Sequence, residues 1–197
     1  MEKKFRILAA GDLHGSLDIA RKLSAKGKKG KVDLVVLAGD IYGYNGEGEG
    51  ILDCFGKAGQ KIIFVPGNLD FDEDLEGLEK IGKNIHNYYV TYGDVGILGI
   101  GSGNWKLRLK EKDLEDVRGN FSRMKHKKRI LVSHLHAAGT LAELSGVPGD
   151  EVLRKAVEEF APDLLISAHI HEGEGILDWI GGTRVIQVGK SGTIIEI

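Results

Sequence analysis

Short apolar runs, each ending abruptly at glycine and polar residues, recur along the 197-residue chain. They are rich in valine, leucine and isoleucine, a composition typical of strands that are buried on both faces of a sheet. The clearest runs are residues 5–10, 32–38, 62–65, 130–133 and 164–167. The stretches between them are amphipathic, so the alternation of the two patterns predicts an α/β fold.

The amphipathic stretches predict helices over residues 16–29, 50–59, 72–79, 108–128 and 148–160. In the first stretch Leu17, Ala20 and Leu23 are spaced to lie on one helix face. Turn residues between short apolar runs also predict two hairpins, formed by residues 88–92 with 95–100 and by residues 184–188 with 193–197.

We expect one domain over residues 1–197, because the chain has no internal repeat, low-complexity segment or linker. No apolar stretch is long enough to span a bilayer, and the apolar part of residues 1–10 is too short for a signal peptide. We therefore expect a cytoplasmic protein with no membrane partner. The hydrophobic content of 42% and the charged content of 28% are those of an ordinary globular protein.

The net charge and the cysteine content limit which partners and which metal ligands we expect. The formal net charge of -2 gives no global reason to expect long nucleic acid or an anionic membrane as a partner. The basic clusters at residues 26–31 and 125–129 are better explained as helix ends, where cations meet the negative pole of the helix dipole. Cys54, the single cysteine, can form neither an intramolecular disulfide nor a cysteine metal site. Seven histidines point to nitrogen and oxygen ligands for any bound metal.

Residues that commonly bind metals follow five of the predicted strands. In open α/β sheets, ligands bind outside the carboxyl ends of the strands. Those ends carry Asp12, His14, Asp40, Asn68, His134, His169 and His171. Two pairs among them have i, i+2 spacing, which points both side chains of a pair in the same direction. We therefore expect carboxylate, amide and imidazole groups to converge at one rim of the fold.

Each of these residues alone has a plainer explanation. A single Asp or Asn after a strand is more often a helix N-cap or a turn residue. Five strand ends with the same behaviour would require repeated coincidence under that explanation. Two divalent cations roughly 3.5–4 Å apart fit a ligand set of this size, and such pairs hold the attacking and leaving oxygens of a phosphoryl displacement. The donor types suit manganese, iron, zinc, nickel or cobalt and do not choose among them.

These segments resemble, in order, the motifs of the calcineurin-like metallophosphoesterase superfamily. They are Gly11-Asp12-Leu13-His14-Gly15, Gly39-Asp40, Gly67-Asn68-Leu69-Asp70, His134 and Ala168-His169-Ile170-His171. The match spans nearly the whole chain and looks most like the small stand-alone phosphodiesterase branch. It implies a four-layer α/β/β/α sandwich of two mixed sheets flanked by helices, with the site at the strand ends.

The resemblance also implies roles for the seven residues. It implies two ligand sets bridged by Asp40, with Asp12, His14 and His171 for one divalent metal ion and Asn68, His134 and His169 for the other. The implied reaction is hydrolysis of a phosphodiester through attack by a hydroxide that bridges the two ions. A cyclic or other small nucleotide is one candidate substrate.

Two positions depart from the family pattern. Ala168 replaces a glycine, a change too small to affect ligation. Leu69 replaces a histidine credited with stabilising the transition state or protonating the leaving group, and general acid catalysis is typically worth about 10²–10⁴-fold. Without that histidine, the enzyme should favour leaving groups that depart unprotonated, as in aryl diesters. We hypothesise that His136, two residues after His134, partly replaces it as a catalytic residue. The alternative, weighed equally, is that His136 only forms a hydrogen bond in the turn.

Two functional classes remain open on these observations. The first is a binuclear phosphodiesterase or phosphatase that acts on a small phosphoester, and complete occupation of the seven ligand positions favours it. The second is a metal-binding scaffold that binds another protein with little or no catalytic activity, and Leu69 keeps this class open. A nuclease acting on long nucleic acid lacks the expected basic stripe.

Substrate recognition and assembly are less well specified by the residue pattern. The loops at residues 42–50 and 101–105 are candidates to border the site. Their Tyr42, Tyr44, Asn104 and Trp105 either contact a nucleobase or belong to exposed loops anchored by an aromatic residue. The predicted edge hairpins are compatible with a homodimer.

Overall fold

The structure of the chain, a computed structural model, describes residues 4–197. Residues 1–3, which begin the segment considered too short for a signal peptide, lie outside the described residues. The strands are β1 (Arg6–Ala10), β2 (Leu34–Ala38), β3 (Ile62–Val65), β4 (Lys83–Asn84), β5 (Tyr89–Tyr92), β6 (Val95–Ile100), β7 (Lys128–Ser133), β8 (Leu164–Ser167), β9 (Leu177–Ile180), β10 (Thr183–Gln187) and β11 (Thr193–Glu196). The α-helices are α1 (Leu17–Gly30), α2 (Asp53–Gly56), α3 (Asp72–Glu79), α4 (Glu111–Arg123) and α5 (Glu151–Phe160).

The strands form two mixed sheets, ordered β11-β1-β2-β3-β4 and β5-β6-β7-β8-β10-β9. In the first sheet β1 to β4 run parallel, and β11 pairs antiparallel with β1. In the second sheet β6, β7, β8 and β10 run parallel, with β5 and β9 antiparallel at its edges. Because parallel neighbours end on the same side of a sheet, the loops after β1, β2 and β3 lie together, as do those after β7 and β8.

Apolar side chains cover both faces of each sheet, which explains why the strands are continuous apolar runs. One cluster contains inward-facing residues of both sheets, such as Val36 and Val132. A second joins α4 and α5 to the six-stranded sheet through residues that include Phe121 and Phe160. A third joins the helices of the other half to the five-stranded sheet around Phe55. The layers are therefore helix, sheet, sheet and helix, as expected for the α/β/β/α sandwich.

The start of α1 is fixed close to the first ligand loop. The Ser16 hydroxyl accepts a hydrogen bond from the backbone N–H of Ile19 at 3.3 Å, which satisfies one of the free donors of the first helical turn. The helix then buries Ala20 and Leu23 against β1 and β2, as predicted, whereas Leu17, the third residue of the predicted face, is exposed. Among the described residues, no helix has the length and apolar character needed to cross a membrane.

The predicted terminal hairpin was wrong. Strand β10 pairs with β8 and β9, whereas β11 pairs with β1 in the other sheet. The residues around Lys190 therefore connect the two sheets rather than turning within one. The hairpin partner of β10 is β9, which lies before it in the chain and was not predicted. The sequence did not predict which sheet each of these strands joins, because a short apolar run carries no information about the distant strand with which it pairs.

Two other boundaries also differ from the prediction. The helix expected over residues 50–59 is reduced to the four residues of α2, because Gly50 and Gly59 have φ values of +71° and +70°, outside the helical region. The basic residues at 125–129 do not end a helix. Helix α4 stops at Arg123, and Lys128 begins β7.

Candidate metal centre

Five loops meet at the rim where parallel strands of both sheets end. They follow β1, β2, β3, β7 and β8 and carry all seven residues predicted as metal ligands. The backbone is left-handed at four of them, with φ values of 56° at Asp12, 46° at His14, 48° at Asp40 and 73° at His169. This conformation is unfavourable for residues other than glycine, and such strain concentrates at functional sites. The ligand side chains therefore converge because the backbone turns sharply at these residues. The i, i+2 spacing would have directed them to one side only in an extended strand.

Asp12, His14 and His171 form one group of ligand atoms. Nε2 of His14 lies 2.9 Å from Nε2 of His171, which in turn lies 3.7 Å from Oδ1 of Asp12. One ligand atom from each residue can be chosen so that all three lie within 4.8 Å of one another. The Asp12 carboxylate is buried, and neither of its oxygens makes a hydrogen bond of good geometry, although the nearby backbone N–H of His169 lowers its pKa. A buried carboxylate without partners is costly, and a bound cation would satisfy it.

A second group surrounds the fully buried His134. Its Nε2 lies 3.0 Å from Oδ1 of Asn68, 3.1 Å from Nδ1 of His169 and 3.5 Å from Oδ1 of Asp40. The opposite ring nitrogen, Nδ1, donates its hydrogen to the carbonyl oxygen of Ala38 at 2.8 Å. That hydrogen bond selects the tautomer in which the Nε2 lone pair faces the group.

Asp40 connects the two groups. Its carboxylate oxygen, a carboxylate oxygen of Asp12 and a ring nitrogen of His134 also lie within 4.8 Å of one another. The backbone N–H of Leu69 donates to Oδ1 of Asp40 at 2.9 Å and holds the side chain in place. The seven side chains thus form a single cluster at one rim, with Asp40 between its halves.

The electrostatics of the cluster match a cation site. Burial, together with the neighbouring Asp40 carboxylate, raises the pKa of Asp12 to about 8. Burial also raises the pKa of Asp40. In contrast, burial lowers the pKa of both His134 and His169 to about 4, so these rings are neutral at pH 7. Neutral imidazole is the form that binds metals, and positive charge between the carboxylates would offset their burial.

The spacing of the nitrogen atoms fits shared metal ligation. Imidazole nitrogens bind zinc at about 2.0–2.1 Å, so two ligands at a right angle are roughly 3 Å apart. The observed separations are 2.9 Å between His14 and His171 and 3.1 Å between His134 and His169. The chemistry and the spacing of the donors therefore both suit divalent transition metals.

His136 lies beside this cluster and not within it. It is buried, and its ring centroid is 6.4 Å from that of His169. Its Nε2 donates to the carbonyl oxygen of Val147 at 3.2 Å, and its Nδ1 has no hydrogen-bond partner. Leu69 is also buried, next to Asn68, and brings no titratable group to the rim.

Asp70 is a residue of the site whose role was not predicted from the sequence. Its fully buried carboxylate accepts hydrogen bonds from the backbone N–H groups of Gly67, Ile41 and Tyr42 at 2.8–2.9 Å. These contacts fasten the loop that follows β2 to the loop that follows β3. Burial raises the pKa of Asp70 to about 7, although the three hydrogen bonds act in the opposite direction. Its i+2 spacing from Asn68 was the available signal.

Glycines allow the ligand loops to approach one another. A Cβ atom on Gly39 would lie 2.6 Å from the backbone nitrogen of Gly67 and 2.7 Å from Nδ1 of His134. A Cβ atom on Gly11 would lie 2.7 Å from that of Ala168, the residue that departs from the family pattern. The missing side chain at Gly11 therefore provides the space that Ala168 occupies.

The fold and the ligand cluster together define a class, the metal-dependent hydrolases that act on phosphoesters. The chain belongs to the calcineurin-like phosphoesterase family, whose model matches residues 5–173. The resemblance stated from the motifs is thereby confirmed.

Individual proteins are similar to this chain in sequence or in fold. An uncharacterized protein of Methanocaldococcus jannaschii, MJ1162, is 28% identical over 199 residues, which cover 94% of this chain and 88% of that protein. The crystal structure of TT1561 of Thermus thermophilus has a TM-score of 0.78 at 15% identity, over 96% of this chain and 91% of that one. An archaeal phosphodiesterase has a TM-score of 0.57 at 16% identity, over 98% of this chain and 100% of that one. At these identities the solved structures show the shared fold.

Proposed function

We propose that the chain is a binuclear metal-dependent phosphodiesterase acting on small phosphodiesters. The observation that carries the proposal is the Asp12 carboxylate, which is buried beside Asp40 and makes no hydrogen bond of good geometry through either oxygen. A scaffold that bound no metal would gain nothing from two buried carboxylates that face four imidazoles, of which those of His134 and His169 are neutral. The cost of burying them is offset when cations bind, so ion binding is the simplest reason for the arrangement.

We assign the ligands as two sets of three side chains with Asp40 shared between them: Asp12, His14 and His171, and Asn68, His134 and His169. When bound, the two ions supply Lewis-acid chemistry, since they neutralise phosphoryl charge and lower the pKa of water. The chain's own contribution is to prepare the site. The N–H of Leu69 orients Asp40, the carbonyl of Ala38 sets the tautomer of His134, and Asp70 holds two ligand loops together.

The apolar side chain at Leu69 supports a preference for diesters with good leaving groups. A leucine cannot protonate a departing oxygen, so the site depends on leaving groups that are stable as anions. His136 remains our candidate for a partial replacement. Its Nε2–H is directed at the carbonyl of Val147, so donation to a substrate requires the ring to turn. Unchanged turnover of an alkyl diester by His136→Ala would assign His136 to the turn alone.

A metal-reconstitution assay tests the proposal. Metal-stripped protein receives Mn²⁺, Fe²⁺, Zn²⁺, Ni²⁺ or Co²⁺ and is assayed with bis(p-nitrophenyl) phosphate, p-nitrophenyl phosphate and an alkyl monoester. We expect metal-dependent turnover that is fastest for the aryl diester. Asp40→Asn should lower it by about 10² or more, because the substitution removes charge between the two ligand sets. The exposed Asp72→Asn is the matched control and should retain activity.

Two results would contradict the proposal. Full activity in Asp40→Asn would exclude the two-metal arrangement. Absence of turnover with every metal and substrate, together with micromolar binding of a protein partner, would instead establish the scaffold.

A further inference from the structure

An exposed aromatic pair, Tyr44 and Trp105, lies at the rim. The side chains are 68% and 47% exposed, with ring centroids 5.1 Å apart and ring planes at 71°. The ring of Phe71 also contacts Trp105 edge to face, with centroids 5.6 Å apart and ring planes at 67°. In the part of the chain that the structure describes, neither residue of the pair belongs to the three core clusters. The pair is therefore not explained by packing of the sandwich.

A backbone hydrogen bond attaches Trp105 to a metal-centre loop, and Tyr44 lies two residues after Tyr42, which is bound to the same loop. The N–H of Trp105 donates to the carbonyl oxygen of Asn68 at 2.8 Å, and the N–H of Asn104 donates to that of Asp70 at 3.1 Å. On the other side, the N–H of Tyr42 donates to the Asp70 carboxylate at 2.9 Å, only two residues before Tyr44. The indole thus belongs to a residue one hydrogen bond away from a proposed metal ligand.

The backbone at Trp105 is strained. Asn104 and Trp105 have φ values of 61° and 59°, in the left-handed region. Asparagine tolerates this conformation, but a bulky residue there is an outlier. Glycine, which occurs at positions 101 and 103 of the same loop, would adopt it without strain. A tryptophan in this place indicates that the indole itself has a use.

We propose that Tyr44 and Trp105 form the subsite that stacks on the base of a nucleotide ester whose phosphoryl group lies at the metal centre. The inference rests on the proposed function and names its substrate class. Two rings at 71° form a corner in which a planar group stacked on one ring meets the other edge to face. Aromatic side chains bind bases through their π-faces in a largely sequence-tolerant way, so the subsite selects a base over its absence more than one base over another.

Binding of adenosine 5′-monophosphate and of ribose 5-phosphate to Mn²⁺-loaded protein tests the proposal, because the two probes differ by the base. Base stacking is worth about 1–3 kcal/mol, so we expect adenosine 5′-monophosphate to bind about tenfold more tightly in calorimetry. In a Trp179→Phe background Trp105 is the single tryptophan, and adenosine 5′-monophosphate, but not ribose 5-phosphate, should quench its fluorescence.

Three variants sharpen the test. Trp105→Gly should remove most of the preference for adenosine 5′-monophosphate and leave only the part that Tyr44 contributes. The melting temperature should be retained, because glycine relieves the strain. Trp105→Phe keeps a ring and should keep most of the preference, which guards against misfolding of the glycine variant. Trp179→Ala removes the other tryptophan, 64% exposed on β9 in the second sheet, and should keep the full preference.

Equal affinities for the two probes in the unsubstituted protein would overturn the inference, and so would no measurable binding of adenosine 5′-monophosphate. A preference of undiminished size in Trp105→Gly would overturn it as well. Turnover of bis(p-nitrophenyl) phosphate in the same preparation separates this inference from the proposed function. Turnover without a base preference refutes the subsite alone, whereas a Trp105-dependent base preference without turnover refutes the enzyme alone.

Discussion

Replacing Gly39 by alanine tests whether the close approach of the ligand loops builds the site. Gly39 follows β2, precedes Asp40 and has φ +88°. An added Cβ would lie 2.6 Å from the backbone nitrogen of Gly67 and 2.7 Å from Nδ1 of His134, whereas ordinary contact begins near 3.4 Å. The loop after β2, the loop after β3 or the His134 ring must therefore move by several tenths of an ångström.

The loss of stability expected for Gly39→Ala has two separate causes. A positive φ costs a residue with a Cβ roughly 1–2 kcal/mol, and overpacking typically adds about 1–3 kcal/mol. Gly59→Ala is the matched control, because Gly59 has φ +70° but nothing within 4 Å of the added Cβ. At about 2–4 °C per kcal/mol for a chain of this size, Gly39→Ala should lower the melting temperature roughly twice as far as the control. A displacement of nearly 1 Å can also cost about 10²-fold in turnover, which the control should not lose.

The assay compares thermal unfolding by circular dichroism with turnover of bis(p-nitrophenyl) phosphate for both variants at saturating metal. A Gly39→Ala protein that matches Gly59→Ala in both stability and turnover would refute the argument. That outcome would mean that the ligand loops tolerate separation and that their close packing does not position the metal ligands.

Three further outcomes are expected. Leu69→His should raise kcat/KM for alkyl monoesters about tenfold or more while changing aryl diesters little, and equal changes for both would contradict a missing proton donor. Asp70→Ala leaves three backbone donors without their acceptor and should lower the free energy of urea unfolding by about 3 kcal/mol or more, whereas exposed Asp72→Ala should cost less than about 1 kcal/mol. In metal-free protein the pKa of Asp12 is raised from 3.8 to about 8, so its protonated form favours folding, and that stability is lost as pH rises through about 8. His134 and His169, whose pKa values are lowered from 6.5 to about 4, act in the opposite direction below about pH 6.5. The Asp12 contribution is therefore measured as the difference in urea unfolding between the unsubstituted protein and Asp12→Asn in chelator. The stability of the unsubstituted protein relative to the variant should fall as pH rises from about 4 to about 8, and a difference that does not change with pH would contradict the assignment.

The position of the site could be predicted because parallel strands end on the same side of a sheet. From that rule we predicted that Asp40 and Asn68 lie close together, and in the structure both contact His134. The left-handed backbone at Asp12 and His169 could not be predicted, since a residue with a Cβ gives no sign that it will adopt positive φ. It depends on the loops that close around each turn.

The pairing between distant strands was the other feature that could not be predicted from the sequence. Strands β10 and β11 are both short and apolar, and only packing between the sheets places one beside β8 and the other beside β1. Similarly, the sequence shows that Asp70 lies two residues after Asn68. It could not show that the Asp70 carboxylate accepts a hydrogen bond from the backbone N–H of Ile41. In both cases the missing information is a contact between residues far apart in the chain.

The residues of the metal centre are energetically unfavourable when no ions are bound, so ion binding affects the stability of the whole fold. Without ions, Asp12 and Asp40 are buried close together, and four ligand residues keep left-handed backbone at on the order of 1–3 kcal/mol each. The apolar clusters on both faces of the sheets must outweigh that cost. Ions that bind the folded rim and not the unfolded chain stabilise the fold by an amount that grows with their concentration. A substitution that removes a buried ligand carboxylate should therefore lower the melting temperature of metal-loaded protein and leave that of metal-free protein unchanged or higher. The same carboxylates that make the rim a strong cation site also make it an unfavourable part of the fold when no cation is bound.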